Sequence, residues 1–120
     1  MAKMYENLEA WKEATNLAAQ IYQITKDFPK EEIFGLTSQL RKASISISSN
    51  IAEGAGRKSK KDFKQFVHIA SGSLNEVESL LHICSRLNLI AADSYKELKE
   101  STERLGRLIG GLLKYLNGRK

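Results

Sequence analysis

Five cations crowd one short stretch of the chain: Arg57, Lys58, Lys60, Lys61 and Lys64, interrupted only by Asp62. Closely spaced ammonium and guanidinium groups suit contact with successive phosphates, which asks for charge and reach rather than a base-reading motif. The competing reading is a solvated charged face, which needs no ligand. Lys60 and Lys61 fall in the first turn of an expected helix, where the macrodipole disfavours cations by about 0.3–1 kcal/mol each. Few aromatic residues accompany these lysines along the chain, so stacking on single-stranded bases is not indicated. A second concentration of charge lies at Arg104, Arg107, Lys114, Arg119 and Lys120.

The remaining reactive side chains do not assemble a catalyst. Asn50 and Glu53 are three residues apart on one helical face and could bond to each other or to nearby helix ends, but one carboxylate with an amide is not an acid–base pair. His68 and His82 would stand about 21 Å apart along one helix, too far to share a metal. Glu78 and His82, at a spacing of four, read as a surface hydrogen-bonding pair because the repeated Glu-x-x-His pattern of bundle metal sites is absent. Cys84 lies on an apolar stripe without an activating base and reads as an inert core thiol. Gly54-Ala55-Gly56 lacks the preceding strand and following glycine of a phosphate-binding loop. The chain therefore reads as no enzyme, with no cofactor and no metal.

These side chains must be carried by helices, and one stretch organises the rest: Leu36 to Arg57, LTSQLRKASISISSNIAEGAGR. At helical spacing Leu36, Leu40, Ala43, Ile47 and Ile51 form a core-facing stripe. Lys42, Ser46, Ser49, Asn50 and Glu53 gather on a polar face. Ile45 and Ala52 fall roughly opposite the core stripe, beside Arg41, where a simple surface helix would carry charge. This second apolar face reads as an oligomer interface. Gly54 and Gly56 are expected to end the helix through left-handed geometry.

The run QLRKASISISSNIAEGAGR, with FPKEEIFGLTS before it and FVHIASGSLNEVESLL after it, resembles the four-helix-bundle proteins encoded in intervening sequences of bacterial large-subunit ribosomal RNA genes. The accessory variability determinant of diversity-generating retroelements is a more distant relative of that family. The resemblance extends from Leu8-Glu9-Ala10-Trp11 to the last helix, and its most specific part is Ser49-Asn50-Ile51-Ala52-Glu53-Gly54, read as structural. The family often has proline where this chain has Ser48 and arginine where it has Lys42. The resemblance implies a four-helix bundle and a homo-oligomer, a pentamer.

Length and composition agree with one such domain. The chain has 120 residues, 42% hydrophobic and 28% charged, with a net charge of +5 and a pI near 9.4. That length supports one core and not two. No apolar run approaches the roughly 20 residues of a membrane span. The N-terminal MAKMYENLEAW lacks the apolar centre of a signal peptide. One unpaired cysteine fits a cytoplasmic location.

Four helices are expected, over about 8–27, 37–54, 60–87 and 95–116, in an all-α antiparallel up-down-up-down four-helix bundle. Asn7, Ser59 and Ser94 are the expected N-caps. Phe63, Val67, Ala70, Leu74, Val77, Leu81 and Cys84 form a heptad-like seam on the third helix. Phe34 is expected to fold back over the bundle end, with a partner surface as the alternative. Gly72, Gly106, Gly110 and Gly111 read as sites of close backbone approach.

Two functions fit these features. One is an oligomeric accessory protein that contacts RNA or DNA phosphates through Arg57, Lys58, Lys60, Lys61 and Lys64, extended by Arg41 and Lys42, and that serves a nucleic-acid-processing protein. The other is a protein–protein scaffold using the second apolar face. Salt-sensitive nucleic-acid binding separates the first from the second.

Overall fold

Four amphipathic segments close into helices because their apolar residues recur on one face each. The computed structural model describes residues 3–118. Its helices are α1 (Glu9–Thr25), α2 (Leu36–Ala55), α3 (Lys60–Arg86) and α4 (Ala92–Leu116), with short 3-10 turns at Met4–Asn7 and Lys30–Glu32. The described residues contain no strand, and the fold is an all-α four-helix bundle.

Side-chain pairings give the directions of the helices. Arg41 Nε donates to Thr25 Oγ1 at 2.9 Å, joining the start of α2 to the end of α1. Ser46 and Ser73 hydroxyls meet at 2.8 Å, while Gly54 abuts Phe63 and Phe66, so α2 and α3 run antiparallel. His82 meets Tyr95 and Lys64 meets Asn117, so α4 descends as α3 rises. Among the described residues the helix backbones approach one another in the cycle α1–α2–α3–α4–α1. This arrangement suits short connections between successive helices.

The core is the one the periodicity predicts. Ala14, Leu17, Ile21, Leu40, Ile47, Ile51, Leu105 and Ile109 are buried, as is every member of the α3 seam from Phe63 to Cys84. No buried side-chain polar atom lacks a hydrogen bond among the described residues. Thr25, buried between α1 and α2, donates to Ile21 O at 2.7 Å and accepts from Arg41.

Several helix ends depart from the sequence expectation. Ser59 does cap α3, accepting from Asp62 N–H at 3.1 Å. Asn7 does not cap α1: Met4–Asn7 coils into a 3-10 turn and Leu8 takes the capping position with no side-chain bond. Ser94 sits inside α4, which starts at Ala92 behind an extended Ala91. Asn88 closes α3 with φ 60°, and the Leu89 and Asn88 amides reach back to Cys84 O at 2.9 Å and Ser85 O at 3.1 Å. That is the Schellman closure, in which asparagine tolerates the left-handed position usually given to glycine.

Two expectations about glycines are corrected. Gly54 and Gly56 do not end α2 by left-handed geometry: Gly54 lies inside the helix, and Gly56 has φ −85°. Gly54 is needed for space instead. A Cβ there would stand 2.8 Å from Phe66 Cβ, 2.9 Å from Phe63 Cδ1 and 3.2 Å from Phe63 O. Gly72, Gly110 and Gly111 face open space within the chain, and Gly106 meets only Leu74 Cδ2 at 3.7 Å, so none of them holds two backbones together.

Candidate nucleic-acid interface

The α2–α3 turn carries the basic cluster to one end of the bundle. Arg57 leaves α2, pairs with Glu53 Oε2 at 3.2 Å and lies 4.7 Å above the Phe66 ring. Lys64, one turn into α3, donates to Asn117 Oδ1 at 3.0 Å. Lys58, Lys60 and Lys61 are exposed and have no carboxylate within ion-pair distance among the described residues. Three cations therefore stand without acidic partners at the start of α3, two of them in its first turn, where an incoming anion would relieve their unfavourable meeting with the helix dipole.

Because α4 runs antiparallel to α3, its last turn reaches this same end. Tyr115, 61% exposed, places its ring 5.0 Å from Lys60 Nζ. The sequence reading missed this aromatic, which lies more than fifty residues from the lysines along the chain. The signal was available: in an antiparallel pair the end of one helix meets the start of the other. Lys114 is exposed on the same turn. Arg119 and Lys120 lie outside the described residues.

Arg41 and Lys42 do not join the cluster. Arg41 is about 24 Å from Arg57 along α2 and is already engaged, stacked 4.5 Å from the Tyr22 ring as well as bonded to Thr25. Arg104 is held by Glu13 Oε2 at 3.1 Å. Arg107 lines an open groove between α3 and α4, beside Glu78, Glu103 and the bare surface of Gly106 and Gly110.

Asn50 supports the α2–α3 contact through Ser46. Asn50 Nδ2 donates to Ser46 O at 2.8 Å and to Ser46 Oγ at 3.0 Å, while Ser46 bonds to Ser73. Asn50 and Glu53 therefore act apart, Glu53 turning to Arg57. Ser49 is exposed and Ala52 half-buried. His82 Nδ1 faces Tyr95 Oη at 3.5 Å, in place of the expected Glu78. Cys84 is fully buried, and that burial, followed by the negative charge of Glu32, pushes its thiol up to about 11. At neutral pH it is a thiol and a poor nucleophile. No group of three potential metal ligands converges among the described residues. No helix among them is long and apolar enough to cross a membrane.

A second surface is apolar. Phe34 does not fold back over the bundle end: it is 95% exposed, projecting from the turn before α2, with Ile33 beside it at 52%. Ile33 and Ile45 share a shallow depression of about 260 Å³ with Tyr22, Arg41 and Lys42. On α3, Ile69 is half exposed and Gly72 leaves the surface open.

A family model described as "23S rRNA-intervening sequence protein" matches residues 6–111. No curated protein matches the chain. Among solved structures, a protein of unknown function from the S23 ribosomal protein family of Bacteroides thetaiotaomicron is similar in fold, with a TM-score of 0.78. The two share 22% identity over 88% of this chain and 98% of that one.

Proposed function

This chain belongs to the 23S rRNA-intervening sequence protein family, and on that premise we propose that it is a non-catalytic, homo-oligomeric accessory protein that holds RNA or DNA by its phosphates. The observation that carries this reading is the trio Lys58, Lys60 and Lys61, exposed together without acidic partners at the start of α3. Backbone contacts of this kind carry no sequence information and release counterions on binding. The purified protein is expected to bind RNA and duplex DNA of unrelated sequences, with affinity falling steeply as salt rises. Failure to bind either at low salt would overturn the proposal. A protein partner that stays bound at high salt in the same preparation would then favour a scaffold.

The apolar surface around Ile33, Phe34 and Ile45 supports self-association, and the family resemblance implies a ring of five. Repeating the lysine trio around a ring multiplies the local potential and raises affinity through multivalency, with no new kind of contact. Ile45→Glu is expected to raise the dissociation constant of the oligomer at least about tenfold while sparing helix content, because a carboxylate in a dry apolar contact costs more than the roughly 1.4 kcal/mol this represents. Light scattering with circular dichroism measures both. A wild-type monomer at micromolar concentration would reject the oligomer.

A further inference from the structure

Where α4 ends against the α2–α3 turn, a small cleft opens of about 150 Å³, lined by Met4, Arg57, Lys58, Lys60, Phe63 and Tyr115 among others. It is well below the roughly 300–1,000 Å³ of a site for a drug-sized ligand. Its scale suits one planar ring. One wall is aromatic and apolar, with Tyr115 61% and Met4 58% exposed, and the rim is cationic. An exposed aromatic ring beside unpaired cations is the combination that grips single-stranded nucleic acid, in which bases are free to stack and phosphates follow at short intervals.

We propose that this cleft takes one unpaired nucleobase of a single-stranded polynucleotide, stacked on Tyr115, while Lys58, Lys60 and Lys61 hold the flanking phosphates. The inference rests on the nucleic-acid reading above and adds the strand type that the site prefers. Lys60 already lies over the Tyr115 ring, 5.0 Å from its centroid. A cation–π contact at an exposed site is weak, so a phosphate can draw the ammonium off the ring and leave that face to the base. The ammonium then holds the phosphate of the nucleotide whose base replaces it. A duplex gains only the phosphate half of this exchange, because its bases are stacked on one another.

The test compares wild type, Tyr115→Ala, Tyr115→Phe and the combined Lys58, Lys60, Lys61 and Lys64→Gln variant. Their probes are a short oligouridine, an oligothymidine of equal length and a duplex. Tyr115→Ala is expected to weaken both single strands about fivefold or more, the loss of one stacked base, with the salt slope and duplex affinity unchanged. Tyr115→Phe, which keeps the ring, is expected to bind as wild type. Stronger loss for oligouridine than for oligothymidine would assign the site to RNA; equal loss would assign it to either strand chemistry. If Tyr115→Ala leaves single-strand affinity unchanged, or lowers single-strand and duplex affinity alike, the stacking proposal is overturned. If the lysine variant also binds every probe as wild type does, the phosphate reading falls with it.

Discussion

Gly54→Ala is expected to destabilise the bundle by about 2 kcal/mol, and Gly54→Val by about 3 kcal/mol, in spite of better helix propensity. The added Cβ would meet Phe66 Cβ at 2.8 Å and Phe63 O at 3.2 Å. Neither atom can swing away, since one is fixed to the α3 backbone and the other belongs to it. The helices must separate, and the packing of Ile51 against the core loosens with them. Gly56→Ala is the contrast. Its Cβ would find Glu53 O at 3.5 Å, an ordinary contact, and φ at Gly56 is −85°. That change is expected to leave stability unchanged or raise it by up to about 1 kcal/mol, as alanine costs less backbone entropy than glycine. Urea unfolding of the three variants gives the values. Stabilisation by Gly54→Ala would mean that α2 and α3 do not approach as closely as described.

Much of this structure was legible in the sequence because helix periodicity speaks directly about burial. The seam from Phe63 to Cys84 and the stripe from Leu40 to Ile51 are buried as their spacing predicts. The Ser59 cap forms because its geometry depends only on residues three apart. Periodicity says nothing about how far one helix slides against another, and the misreading of Gly54 has that cause. Gly54 looked like a terminator because a glycine near a helix end usually is one; its role as a spacer depends on which α3 residue faces it. Phe34 was expected to cover the bundle end, yet the turn of residues 30–32 carries it outward. Within the site, the lysines were legible as a run of charge. Tyr115 was not, because its place beside Lys60 exists only once α4 is packed antiparallel on α3.

The second large effect concerns the lysines. Changing Lys58, Lys60, Lys61 and Lys64 together to glutamine keeps the chain length and polarity of the surface while removing its charge. Lys64 is held by Asn117, so three free phosphate contacts are at stake. Each phosphate contact contributes close to one unit to the slope of log affinity against log salt on duplex DNA, somewhat less on a single strand. The variant is expected to bind at least about tenfold more weakly at low salt and to converge on wild type as salt rises. Stability should change little, since Lys58, Lys60 and Lys61 are exposed and half-buried Lys64 gives up a single hydrogen bond to Asn117.

The most direct test of the account is the salt titration of duplex binding by wild type and by this lysine variant, both verified as intact oligomers by light scattering. The account predicts a slope shallower by about three in the variant. Equal affinity and equal slope in the two proteins would contradict it and leave the apolar face around Phe34 and Ile45 as the working surface.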